Sequence, residues 1–370
     1  MNLRIMGEDM NKITRRRFIG KTMAIGAAAV FPTVFIHKSA AAWEQGSPVH
    51  PNIDDLRVVG ITDAAMTSGE NPKGSWKKQD SLVVKDAVWE NMDRLACSLA
   101  ETGKPEDAWK GIFVKPPKKS WSDTVVAIKT NNLGSQHPHS AVMSKICHTL
   151  VDLFGVNPSN VHIYDANRGS NMKRTSPFTG LPEGCHMAGK WGGSSGTTLV
   201  PVRKTQVRAY CLKHLVNDSV DILINMAVCK GHNINQLGAF TATMKNHFGT
   251  FDPRPGHAST GLDYLTGINR TKEILGPMDK TTGRILCPRQ QLCFVDALWA
   301  SSGGPYGNST HQTNLLAMGV LSPIVDYIMA TDFRRDRMGW QINEKVPPKM
   351  LADFGYKPED LPNGGKLIEA

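Results

Sequence analysis

Among the seven cysteines, at positions 97, 147, 185, 211, 229, 287 and 293, no two stand as Cys-x-x-Cys. Neither a zinc ribbon nor a self-contained ferredoxin-type cluster is encoded. The odd count at irregular spacings outlines no disulfide framework, and a chain this long does not need one to hold a core. Beyond residues 23–36 there is no second long apolar run, so a soluble mature protein is expected. No Gly-x-Ser-x-Gly follows a strand, which weakens nucleophilic hydrolysis. Without a Gly-x-Gly-x-x-Gly fingerprint, a nicotinamide cofactor would need another mode of binding. The Gly-rich run 192–196 has no Gly-Lys-Ser/Thr after it and is not a Walker loop. There is no internal repeat.

Charge excludes one further class. Residues 1–42 hold seven Lys/Arg against two Asp/Glu and so carry half of the formal net charge of +10. The remainder, without a basic block, is too little for a nucleic-acid partner. A mildly basic surface with a local cluster suits a small anionic ligand better.

What is present begins with an address. Thr14, Arg15, Arg16, Arg17, Phe18 and Ile19 form a twin-arginine pattern, followed by an apolar run that Pro32 interrupts and by the small residues 39–42. That order reads as an export signal cleaved near Ala42, with the twin-arginine translocation machinery as first partner and a periplasmic or otherwise exported destination. Residues 43–120 read as an N-terminal extension, 121–340 as an α/β core domain and 341–370 as a Pro- and Gly-rich tail wrapping the surface.

The expected architecture is three-layer: a mainly parallel sheet with helices on both faces and a long Gly-rich loop over its carboxyl edge. A short strand is expected at 57–61. A helix with Val88, Met92, Leu95 and Leu99 on one face follows, capped by Asp80 or Ser81 and stopped at Gly103. The strand 124–128, a helix through Val142, Ile146, Leu150 and Leu153, and the strand 161–164 form a right-handed parallel crossover. Between Asn167 and about Pro201 periodicity vanishes, which marks a lid or binding loop. Strands are then expected at 207–210, 222–225 and 292–295, and a helix from Ser322 and Pro323.

The chemistry concentrates in residues 221–249. An apolar strand stops at Cys229, Lys230, His232, Asn233 and Asn235, and a second segment carries Lys245, Asn246 and His247. In a parallel sheet, side chains at such strand ends line the ligand crevice. Lys230, His232 and Lys245 supply donors and charge, while Asn131, Asn225 and Asn246 donate and accept. Arg168 joins them as a ligand-binding candidate. Asp165 and Asp296, ending other strands, could orient the lysines, ligate a metal or move a proton. His232 is the preferred proton donor because imidazole titrates nearest neutrality. Cys229 and His232 form a Cys-x-x-His spacing that, with Cys185 and His186, could hold zinc or an iron–sulfur cluster. The alternative is a structural network of ion pairs tying loop ends together.

These residues resemble the bacterial and archaeal domain-of-unknown-function family 362. The likeness rests on Asn131, Asp165, the run Asp221, Ile222, Leu223, Ile224, Asn225, Met226, Lys230, His232, then Lys245, Asn246 and Gly249. Asp296, Gly304, Pro305, Gly307 and Asp326 complete it. Cys229 directly before the Lys-x-His and the lack of the ferredoxin-like module of many relatives are departures. The resemblance implies an α/β fold with its site at these motifs. Together with export in the folded state, the relatives' iron–sulfur modules make redox chemistry the first reaction class for an enzyme binding an anionic small molecule or organic cofactor. A non-catalytic ligand-binding subunit with a periplasmic redox partner, and a metal-dependent hydrolase using Asp165 and Asp296, are the other readings.

Overall fold

A computed structural model describes residues 48–166, 178–187, 195–279 and 281–370. The twin-arginine pattern, Arg168 and most of the Gly-rich stretch lie outside the described residues.

An eight-stranded sheet organises the chain. Its strands are β1 (Val59–Thr62), β2 (Val126–Lys129), β3 (Val161–Tyr164), β4 (His186–Met187), β7 (Ile222–Val228), β10 (Gln290–Ala300), β11 (His311–Gly319) and β12 (Ile368–Glu369), in the order β12-β1-β11-β10-β7-β2-β3-β4. β11 pairs antiparallel with both β1 and β10, and every other pairing is parallel. Seven strands therefore run one way and β11 opposes them. The expected mixed α/β fold with a mainly parallel sheet is what forms.

The central strands are apolar on both faces, as a buried parallel sheet requires. Successive residues enter different clusters: Leu223, Cys293 and Val295 belong to one, Ile222, Ile224, Leu292 and Phe294 to the other. Period-two alternation places those clusters on opposite faces. One face packs α1 (Lys85–Ala100), α2 (Pro105–Ile112) and α3 (Ser140–His148) through Val88, Met92, Leu95, Trp109, Val142 and Ile146. The other packs α5 (Gly261–Asn269), α6 (Ser322–Ile328) and α7 (Val346–Asp353) through Tyr264, Ile268, Ile324, Val325 and Met350. Between these stands the short α4 (Thr243–Asn246).

Several local expectations change. α1 starts at Lys85 rather than at a cap on Asp80 or Ser81, and it ends on Glu101 at φ 53 rather than at Gly103. Asp80 instead accepts from the backbone N–H and hydroxyl of Ser140, both at 2.7 Å, at the start of α3. Residues 195–201, expected to be structureless, belong to β5 (Ser195–Val202), which forms a separate hairpin with β6 (Thr205–Leu212). The tail does more than wrap the surface. Val346, Met350, Leu351, Phe354 and Leu367 are buried, and β12 extends the sheet beside β1. Among the described residues, no helix is long and apolar enough to cross a membrane.

Candidate functional site

The sheet order turns between β2 and β7: β3 follows β2 to one side, whereas β7 and β10 lie on the other. Such a switch point leaves a crevice beyond the carboxyl ends of the strands. Asn246 fills its floor. Its side-chain amide donates to the Lys129 carbonyl (3.2 Å), the Met226 carbonyl (3.2 Å) and Asn225 Oδ1 (2.8 Å), bridging the ends of β2 and β7. Asp326 holds the helix that carries it: its carboxylate accepts from the Thr243 N–H (2.6 Å) and hydroxyl (2.5 Å) and the Met244 N–H (3.1 Å). Those N–H groups would otherwise be orphans of the first turn of α4.

Above this floor lies a cleft of about 360 Å³, lined by Lys129, Asn131, Asp165, Lys230, His232, Thr241, Lys245, Asn246, Phe248, His257, Pro305 and Tyr306 among others. The volume falls at the lower end of small-molecule sites. Among the described residues, three lysines face it with a single carboxylate. Lys129 Nζ pairs with Asp165 Oδ1 at 3.1 Å and also donates to Asn246 Oδ1 at 3.0 Å and to the Thr130 carbonyl. Lys230, 1% exposed, donates only to neutral acceptors, Asn131 Oδ1 at 2.8 Å and the Leu133 carbonyl at 3.0 Å. Lys245, 6% exposed, donates to the Phe240 carbonyl at 2.9 Å. Among the described residues neither Lys230 nor Lys245 forms an ion pair.

Burial without a carboxylate disfavours the charged amine. Lys230 is pushed down to about 7 by burial, with Asp165 opposing and Lys129 assisting. Lys245 is likewise pushed down by burial to about 7, with the Asp326 charge opposing. Burial lowers Lys129 too, against the charge and hydrogen bond of Asp165.

These amines change the role expected of His232. Burial and the neighbouring Lys245, His257 and Lys230 push its imidazole down to about 3, so it stays neutral at physiological pH. Its Nδ1 accepts from the Ile234 N–H at 3.0 Å, which leaves the proton on Nε2. His232 is therefore a neutral hydrogen-bond donor in the cleft rather than the imidazolium proton donor expected from the sequence. Lys230 and Lys245 are the groups that titrate near neutrality.

Asp165, Asn131, Lys230, His232, Lys245 and Asn246 are thus brought together. Asn225 lies beneath them, donating to the Thr243 carbonyl (2.8 Å) and to Gln290 Oε1 (3.2 Å), and supports Asn246 without lining the cleft. Asp296 is elsewhere. Fully buried on β10, it accepts from the His139 N–H at 2.7 Å, contacts His139 Nδ1 at 2.9 Å and accepts from the Leu298 N–H at 3.1 Å. Burial pulls the His139 pKa down, but Asp296 lifts it above the ordinary imidazole value. Three strand spacings separate β10 from β3, about 14 Å in all. Asp165 and Asp296 cannot share one ion, so a hydrolase built on that pair is not assembled.

The soft-ligand set is dispersed as well. Cys229 packs in one core cluster with Arg334 Nη1 4.0 Å from its sulfur, whereas Cys185 packs against the other cluster in contact with Cys147. Burial raises the Cys229 thiol, against the Arg334 charge. Among the described residues, no group of three His, Cys, Asp or Glu side chains could hold a metal ion.

Sequence reasoning passes over Lys129, Thr241, Phe248 and His257. Lys129 had a signal, being the first polar residue after the apolar 125–128; the others had none, because they follow no strand at the main sheet. Thr241 is 4% exposed, lines the cleft, and its hydroxyl has no hydrogen-bond partner among the described residues. It stands opposite Lys230 in the short ladder of β8 (Lys230–Gly231) and β9 (Phe240–Thr241).

A family model described as a domain of unknown function, DUF362, matches residues 126–331, more than half of the chain. The chain belongs to the DUF362 family. The DUF362 region begins at β2, ends in the π-helical continuation of α6 (Met329–Arg337), and so contains all the cleft-lining residues named above. The loop Gly304, Pro305, Tyr306 and Gly307 supplies Pro305 and Tyr306 to the cleft wall. Outside the DUF362 match, residues 48–125 contribute β1, α1 and α2, and residues 332–370 contribute α7 and β12. Searches of curated proteins and of solved structures gave no match.

Proposed function

We propose that this chain is an exported protein that binds a small anionic molecule in the cleft at the carboxyl ends of β2, β3 and β7. The observation that carries this reading is the charge imbalance: among the described residues, three buried lysine amines line one small cleft and a single carboxylate accompanies them. Burying an unpaired ammonium costs several kcal/mol, and an anion in the cleft would repay it with charge-assisted hydrogen bonds. Lys230 is suited to this role. Asn131 and Leu133 take two of the three N–H groups of its ammonium form and leave the third for a ligand. His232 Nε2–H adds a neutral donor. The twin-arginine pattern of Arg15, Arg16 and Arg17 supports a destination beyond the cytoplasmic membrane.

Calorimetric titration of the mature chain with sulfate, succinate and pyruvate tests this reading. Binding of at least one of them is expected, weakened about tenfold by Lys230→Met, the loss of one charge-assisted hydrogen bond. No binding of any of the three, or equal affinity in the variant, would overturn it.

A further inference from the structure

Lys245 and Lys230 differ in a way that anion binding alone does not use. Lys230 is pinned by two acceptors, whereas Lys245 has one neutral partner, the Phe240 carbonyl at 2.9 Å. The chain around Lys245 contributes Phe248, Pro253 and His257 to the same wall, an environment poor in charge. Burial, and then the Lys245 charge, lower the His257 imidazole, as they lower His232. A buried amine with few hydrogen bonds and, among the described residues, no carboxylate in ion-pair contact has the form of a nucleophilic lysine. Thr241 adds an independent sign of a ligand: its hydroxyl is buried, lines the cleft and has no partner among the described residues, opposite Lys230 in the β8–β9 ladder.

Resting on the anion-binding reading, we infer that the ligand is a small 2-oxo acid whose carbonyl carbon condenses with Lys245 as an imine, while Lys230 and the Thr241 hydroxyl hold its carboxylate. The step is balanced without oxidant or reductant. The lone pair of neutral Lys245 forms a C–N bond at the carbonyl carbon, and the carbonyl oxygen takes up a proton to give a carbinolamine. Loss of that hydroxyl as water, with the second amine proton, leaves the C=N bond. The titration of Lys245 at about 7 keeps much of the amine unprotonated at neutral pH. A cleft of about 360 Å³ admits a molecule of this size.

Incubating the mature chain with pyruvate and cyanoborohydride, then mapping the reduced adduct by peptide mass spectrometry, is the test. One adduct at Lys245 is expected, more than tenfold above any other lysine, and absent from Lys245→Arg. Calorimetry with pyruvate and with lactate, which lacks the carbonyl, runs alongside. Binding of both acids without an adduct would overturn the imine and leave the anion-binding reading standing. Failure of pyruvate to bind, or an adduct spread over surface lysines or kept in Lys245→Arg, would also overturn the imine. Because the adduct is mapped on the unsubstituted chain, the result stands even if the variant does not fold.

Discussion

Lys129 Nζ and Asp165 Oδ1 lie 3.1 Å apart, both buried, at the ends of the neighbouring strands β2 and β3. This is the only ion pair that a cleft lysine makes among the described residues, and it separates one compensated amine from two uncompensated ones. Asp165→Asn should leave Lys129 buried without its counter-charge and cost about 3–5 kcal/mol in urea unfolding. The double variant Lys129→Met/Asp165→Asn should recover most of that loss, because removing both charges leaves no unpaired ion. A double variant no more stable than Asp165→Asn would argue against this account.

Sulfate affinity should depend on pH with a definite sign. Lys230 and Lys245 titrate at about 7 in the unliganded cleft. An adjacent anion favours the ammonium and raises both values. Binding then takes up protons, so affinity is full below pH 7 and falls as pH rises through the raised values in the complex. Sulfate does not titrate in this range. Calorimetry in two buffers of different ionisation enthalpy should show net proton uptake, and a pH-independent affinity between about pH 6 and 9 would count against the linkage.

Stability should run the other way in the unliganded protein. Lysines that move from 10.5 when unfolded to about 7 when folded bind more protons in the unfolded state between those values. Their penalty is full below pH 7 and shrinks as pH rises toward 10.5, so stability rises with pH across that window. Lys230→Met, which removes one such group at similar volume, should stabilise the fold by about 1–2 kcal/mol at pH 6. That gain should diminish toward pH 9 in denaturant titrations.

Asp296→Asn separates architecture from ligand binding. The carboxylate accepts from two backbone N–H groups and contacts the His139 ring. An amide would turn a donor toward one of these partners, at a cost of about 2–3 kcal/mol in stability. Anion affinity should be unchanged, since Asp296 does not line the cleft. A tenfold loss of affinity in a folded variant would return Asp296 to the site.

Gly249 lies where two chain segments nearly touch. A Cβ there would approach the Asp165 carbonyl oxygen to 2.0 Å and Lys129 Cε to 2.7 Å. Gly249→Ala must push the end of β3 and the Lys129 side chain away from residue 249, and overpacking of this kind costs about 1–3 kcal/mol. Thermal unfolding should show the loss. Sulfate binding should weaken with it, because the displaced residues form one wall of the cleft.

Much of the architecture was legible because its strands are unambiguous. The runs 222–224 and 292–295 are too apolar to be exposed, and the polar residues Asn225 and Asp296 that follow them look like strand ends, although β7 and β10 run further. The same logic picked out Asn131, Asp165, Lys230, Lys245 and Asn246, which the fold does bring together. It erred wherever position along a strand was taken for position in space. Asp296 ends an apolar run as Asp165 does, yet β10 extends four residues past it and buries it under His139 and Leu298. Cys185 and Cys229 looked like joint ligands only because nothing in the chain tells which face of the sheet each will meet.

The sequence by itself determined which segments become buried strands and which residues stand at their ends, since apolar periodicity and the abrupt arrival of charge are local properties. Only the tertiary structure decided which ends become neighbours. The order β3-β2-β7-β10 turns at β2, and Asn246 ties that gap from a helix that Asp326 holds. Long-range pairing likewise decided which lysine received a carboxylate. Lys129 and Asp165 meet because β2 and β3 are adjacent, and Lys230 and Lys245, buried with neutral hydrogen-bond acceptors, are driven toward the uncharged amine.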